Sequence, residues 1–167
     1  MYAFLMSKKS DPKREFLRHT LATVAYRGGK AMRDAPEHFA DLKISSSSRT
    51  PLQIVAHICD LYDWALSTAQ GKESWHNSNP GSWSAEVDRF FECLNRFDEF
   101  LSSDDPLACD SERLFQGPVA DSLAHIGQIA MMRRVAEAAI KGEDYSRARI
   151  ESGKVGKEQV PPKREFD

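Results

Sequence analysis

Thr50-Pro51-Leu52-Gln53-Ile54-Val55-Ala56-His57-Ile58-Cys59-Asp60-Leu61 carries the strongest start signal in the chain. Thr50 suits an N-cap, Pro51 suits the first helical position, and Gln53 is placed to reach back in a capping box. From there Ile54, Ile58, Leu61 and Ala65 recur at helical spacing and form one apolar stripe. The spacing predicts a helix running to about Gln70, with Gly71 as its end signal.

Three further stretches carry the same periodicity, and none alternates as a strand would. The first runs from about Lys13 to Ala35, with Phe16, Leu17, Thr20, Leu21, Val24, Gly28 and Met32 on one face and Pro36 as its stop. Gly28 and Gly29 each cost about 1 kcal/mol there relative to alanine, unless another helix packs close against them. A polar loop follows, ending in Ser45–Ser48. After the second helix, residues Lys72 to Ser82 read as a long loop. The third helix begins near Ser84 and carries Val87, Phe90, Phe91, Leu94, Phe97 and Leu101; Asp104-Asp105-Pro106 ends it. The fourth is expected from Gly117-Pro118 to about Lys141. Its apolar residues Leu123, Ile126, Ile129, Ala130 and Val135 spread round the cylinder, as on a well-covered helix. Residues 1–141 thus read as one all-α domain, a four-helix bundle. Residues 142–167 read as a polar, extended tail packed on it, pinned by Tyr145, Ile150 and Phe166.

Composition fits that reading. The 167 residues are 41% hydrophobic and 29% charged, with a net charge of -2. One domain of this size builds a core without metal or disulfide staples. The balanced charge disfavours a nucleic-acid partner. The longest apolar run, Tyr2–Met6, is far short of a membrane span and precedes Lys8-Lys9 rather than following basic residues, so no membrane association or secretory signal is expected. Three cysteines without short spacing point to free thiols in a reducing, cytoplasmic setting.

Histidine placement carries the chemistry. His57 falls on the inward side of the second helix, as a ligand or as a core histidine satisfied by one hydrogen bond. Asp121 and His125 are four residues apart on the fourth helix, within about 40° of each other round the axis. With His57 they offer two nitrogens and one oxygen, a set suited to a catalytic divalent metal with open positions. Asp121 equally suits the positive end of its helix, an ion pair with Lys or Arg, or a metal-free pair with His125. Gln128 and Met132 continue that stripe, Gln128 as a possible pocket residue or a cross-helix bond. Asp60 reads as an outer partner of the ligands or a solvated helix charge. Trp64, Trp83 and Tyr62 read as a pocket wall or as plain core. Arg133-Arg134 read as an attraction for an anionic substrate or as solvated charge. Cys59 points about 160° away from His57 and is not a ligand. Cys93 and Cys109 lack a neighbouring base, and His19, His38 and His76 are assigned no role. No P-loop, dinucleotide fingerprint or G-x-S-x-G element is present, which disfavours nucleotide chemistry and a serine nucleophile.

Asp121-Ser-Leu-Ala-His125-Ile-Gly-Gln128-Ile, followed by Met-Met-Arg-Arg, resembles the last-helix motif of the DinB/YfiT-like superfamily. His57, in a helix opening Thr50-Pro51, resembles its second-helix histidine. The resemblance spans residues 13 to 141. It implies an up-down-down-up four-helix bundle, a homodimer, and a divalent metal held by His57, Asp121 and His125. The family pattern is H-x-x-x-H ahead of x-G-Q; here Asp121 replaces the first histidine. A carboxylate remains a competent ligand for zinc, nickel, manganese or iron. The implied activities are metal-dependent hydrolysis or transfer to a low-molecular-weight thiol, acting on a small-molecule substrate. The competing expectation is a non-catalytic dimeric bundle that binds small molecules or serves in stress, with Asp121 and His125 as a buried hydrogen-bonded pair.

Overall fold

The computed structural model describes residues 11–166, and the apolar run Tyr2–Met6 lies outside them. The described chain is mainly helical. Its helices are α1 (Pro12–Met32), α2 (Pro51–Ala69), α3 (Trp83–Ser102), the short α4 (Ser111–Leu114) and α5 (Ala120–Val135). One wide π turn, Phe115–Val119, joins α4 to α5, so the last helical run begins at Ser111 and not at Gly117-Pro118. Pro118 has no N–H to give to a regular turn, and the widened turn accommodates it. Ser122 Oγ donates back to the Pro118 carbonyl at 2.6 Å.

Local chemistry sets the helix ends. Gln53 N–H donates to Thr50 Oγ1 at 3.2 Å and Thr50 N–H to Gln53 Oε1 at 3.0 Å, which completes the expected capping box. Asp11 caps α1, and Ser82 caps α3 one residue ahead of its helix. Gly71 ends α2 with φ of 73°, as its position predicted. Two ends come earlier than the periodicity predicted. Helix α1 stops at Met32, with Asp34 at φ 52°, and α5 stops at Val135, with Glu137 at φ 54°. The second stop is tied down by Arg133, which donates to the carbonyls of Ala138, Arg33 and Asp34. Arg133 is therefore buried structure rather than an attraction for substrate.

Helix α2 packs on α3 and α5, while α1 packs on α3 and α5. The shared core contains Leu21 and Val24 of α1, Ile58 of α2, Phe90, Leu94 and Phe97 of α3, and Ile129 of α5. Gly28 marks the closest approach, since a Cβ there would stand 2.6 Å from Phe90 Cζ. That contact explains the glycine at 28; at Gly29 a Cβ would meet only an ordinary contact at 3.4 Å. Two expectations for helix faces fail. Phe16 is 59% exposed, and α5 is not covered all round, because Met131 and Val135 are 59% and 51% exposed. The polar segment before α2 holds one short turn, Glu37–Asp41, whose Phe39 is fully buried with its ring edge-on to Trp83.

The tail is more ordered than an extended segment. Strands β1 (Gly142–Glu143) and β2 (Glu165–Phe166) pair antiparallel, Gly142 opposite Phe166. Glu143 is buried and accepts from Tyr26 Oη at 2.6 Å and Lys30 Nζ at 2.8 Å. Tyr145 meets Tyr26 edge-on and lies under the Arg27 guanidinium, and Ile150 packs on the core. Phe166 does not pin the tail through burial; Val155, 1% exposed, does. Among the described residues no helix is long and apolar enough to cross a membrane. All three cysteines are free thiols.

Candidate metal centre

The second turn of α2 presents His57, and the first turns of α5 present Asp121 and His125. Because α2 packs directly on α5, the three side chains meet in one place. One ligand atom from each lies within 4.8 Å of the others. His57 Nε2 stands 3.6 Å from Asp121 Oδ2, and His125 Nε2 stands 3.5 Å from Asp121 Oδ1. The two imidazoles meet edge to face with centroids 5.0 Å apart. Ligand atoms about 2.1 Å from a tetrahedral cation stand about 3.4 Å apart. The observed separations are longer than a good hydrogen bond and close to that value.

His125 is also oriented as a ligand would be. Its Nδ1 lies 2.9 Å from Gln128 Oε1. An amide oxygen only accepts, so Nδ1 donates to it and Nε2 is the ring nitrogen turned toward Asp121. Gln128 thus acts on the histidine. His57 has a pKa below the usual imidazole value. Burial is the main cause, the positive charge of Arg49 and the nearby His125 add to it, and Asp121 opposes them. The neutral form, the one that ligates, is favoured.

The triad is partly open, with side-chain exposures of 19% for His57, 45% for Asp121 and 13% for His125. A cleft of about 530 Å³ reaches Asp121 and is walled by Trp64, Trp75 and Leu61. A second cleft, about 450 Å³, reaches His125 and Gln128 and is walled by Arg49, Ile44 and Met131. Trp64 is thus a wall residue. Tyr62 lies in the core against Phe97, and Trp83 packs on Phe39. Two neighbours of the site gave no periodic signal. Trp75, in the loop after α2, sits 5.9 Å from the His57 ring, and Arg49 immediately precedes the α2 cap.

Asp60 belongs elsewhere. It is neither a partner of the ligands nor a solvated charge: it is buried, and it accepts from Ser78 and Arg89. Asp60, Asp63 and His76 form a second group with the spacing of a cation site. Its centre is taken by Arg89, whose Nη2 lies 2.6 Å from Asp60 Oδ1, 2.8 Å from Asp63 Oδ2 and 3.5 Å from His76 Nε2. Cys59 faces α3, its thiol 3.8 Å from the Glu86 carbonyl, on the far side of α2 from His57. Cys93 has Arg96 Nη2 at 3.2 Å, and its pKa is lowered by its bond to Cys59, with Arg96 contributing. His19, His38 and His76 are exposed, as expected. Compared with protein-family models, curated proteins and solved structures, the chain finds no match.

Proposed function

We propose that this chain is a DinB/YfiT-like four-helix bundle that holds one divalent cation on His57, Asp121 and His125. We read it as a cytoplasmic homodimeric enzyme that turns the cation on a small molecule, by hydrolysis or by transfer to a low-molecular-weight thiol. The observation that carries this reading is the spacing of the three ligand atoms, from two different helices, at separations that fit a shared ion. The Gln128 contact that orients His125 supports it. So do the two clefts, one lined by Asp121 and the other by His125.

A bound divalent cation supplies Lewis acidity, which acidifies a water or a thiol at neutral pH. The chain's own residues do the rest. The two imidazoles and one carboxylate would hold the cation and leave coordination positions free for water or substrate. Asp121 supplies the single negative charge among the ligands. Gln128 holds the His125 ring, and Trp64 and Trp75 line the cleft beside Asp121. Zinc added to metal-free protein raises the melting temperature of the wild type, and His125→Ala abolishes the increment. Equal destabilisation of that variant with and without zinc would favour the non-catalytic bundle, with Asp121 and His125 as a simple polar pair.

A further inference from the structure

The arginines near the helices mostly have a structural partner. Arg89 is taken by Asp60 and Asp63, Arg113 by Glu73, Arg18 by Asp98, and Arg133 by three carbonyls. Arg49 differs. It is exposed, and among the described residues no acidic side chain pairs with it. It nevertheless lies against the candidate metal centre. It lines the same 450 Å³ cleft as His125 and Gln128. The same cleft has an apolar lining of Ile44 and Met131, both more than half exposed, and of buried Ile54. A cleft of this size suits a small organic ligand. An unpaired guanidinium beside an apolar wall recognises a carboxylate attached to a hydrocarbon segment. Gln128 gives its amide oxygen to His125, which leaves its NH2 as a second donor for the same ligand.

We propose that the substrate is a small organic acid whose carboxylate pairs with Arg49 and whose hydrocarbon portion lies along Ile44 and Met131, with its reacting group directed to the His57–Asp121–His125 centre. This rests on the metal reading above, and the experiment separates the two. Protein loaded with cobalt(II) in place of the native ion is titrated with 6-mercaptohexanoate and with 6-mercaptohexanol. Binding is followed by the sulfur-to-cobalt charge-transfer absorption, which reports the thiol on the metal whatever its other end does. The wild type binds the carboxylate about tenfold tighter than the alcohol, the gain expected of one charge-assisted hydrogen bond. Arg49→Gln removes that preference while cobalt is still taken up and alcohol affinity and melting temperature stay unchanged. Equal affinities in the wild type, or a preference that survives Arg49→Gln, overturn the proposal and leave the metal centre standing. If cobalt is not taken up, the metal reading fails. Hexanoate and hexanol titrated into the metal-free protein then decide the acid subsite: hexanoate binding lost in Arg49→Gln supports it, and no hexanoate binding overturns it.

Discussion

Alanine at Gly28 and alanine at Gly29 are expected to change stability in opposite directions. Glycine-to-alanine within a helix normally gains about 1 kcal/mol, because alanine loses less backbone freedom on folding. At Gly29 the new methyl would meet Phe91 Cζ at 3.4 Å, an ordinary contact, so most of that gain is kept. At Gly28 it would stand 2.6 Å from Phe90 Cζ, 3.1 Å from Phe90 Cε1 and 3.3 Å from Ile126 Cδ1. Carbon atoms pack at about 3.5–4.0 Å, so the Phe90 ring must retreat by about 1 Å. Phe90 is fully buried, with core on every side. Overpacking of this kind costs about 1–3 kcal/mol, and the short contact belongs at the upper end. Net of the propensity gain, Gly28→Ala loses about 1–2 kcal/mol, while Gly29→Ala gains up to about 1 kcal/mol. For a chain of this length each kcal/mol moves the melting temperature by about 2–4 °C. Far-UV circular dichroism on heating therefore shows Gly28→Ala melting below the wild type and Gly29→Ala at or above it. Gly28→Ala as stable as Gly29→Ala would refute the close packing of α1 on α3. That packing also bears on the candidate site, because Ile126 follows His125 directly.

Other perturbations test the remaining parts. Burial raises the Asp60 pKa, but bonds from Ser78 and Arg89 outweigh it and hold the value below the ordinary 3.8. A depressed folded pKa gives stability that is complete above the unfolded value and is lost as pH falls through the folded one. Asp60→Asn accordingly costs about 2 kcal/mol at neutral pH, and its urea stability falls less steeply than the wild type's in acid; parallel acid profiles would contradict this. Arg133→Ala leaves three carbonyls, Ala138 after α5 and Arg33 and Asp34 after α1, without their donor. It costs about 2–3 kcal/mol in urea unfolding and leaves metal uptake unchanged. Glu143→Ala strips Tyr26 of its acceptor and leaves Lys30 with Glu165 alone. It costs about 2–3 kcal/mol and speeds tryptic cleavage within residues 142–166, whereas unchanged cleavage would mean the clasp does not hold the tail.

The legible parts of the sequence are those governed by local chemistry. The Thr50–Gln53 capping box, the Gly71 stop and the stripes of α2 and α3 depend on neighbours a few residues away, and they stand as read. The last helix was harder. Gly117-Pro118 resembles a start, but Leu114 is buried and carries the helix back to Ser111, with a widened turn absorbing the proline. Its far end is set by the Arg133 side chain, a tertiary contact that periodicity does not register. Phe16 and Val135 look like core by type and spacing, yet the packing of α1 and α5 leaves them exposed. At the candidate site, helical spacing placed Asp121 beside His125, and the inward stripe of α2 brought His57 to them. Trp75 and Arg49 were not legible, because both come from irregular backbone whose course depends on the finished fold. Asp60 was misread for a related reason: its partners, Ser78 and Arg89, lie 18 and 29 residues away.

Metal content bears most directly on the central claim. Protein made without a histidine tag is stripped, dialysed against zinc and analysed for bound metal. The spacing of His57, Asp121 and His125 predicts about one zinc per chain, with most of it lost on substituting any one of the three by alanine. Less than about a tenth of an equivalent in the wild type, or full occupancy in the Asp121→Ala and His57→Ala proteins, would contradict the shared-ion centre.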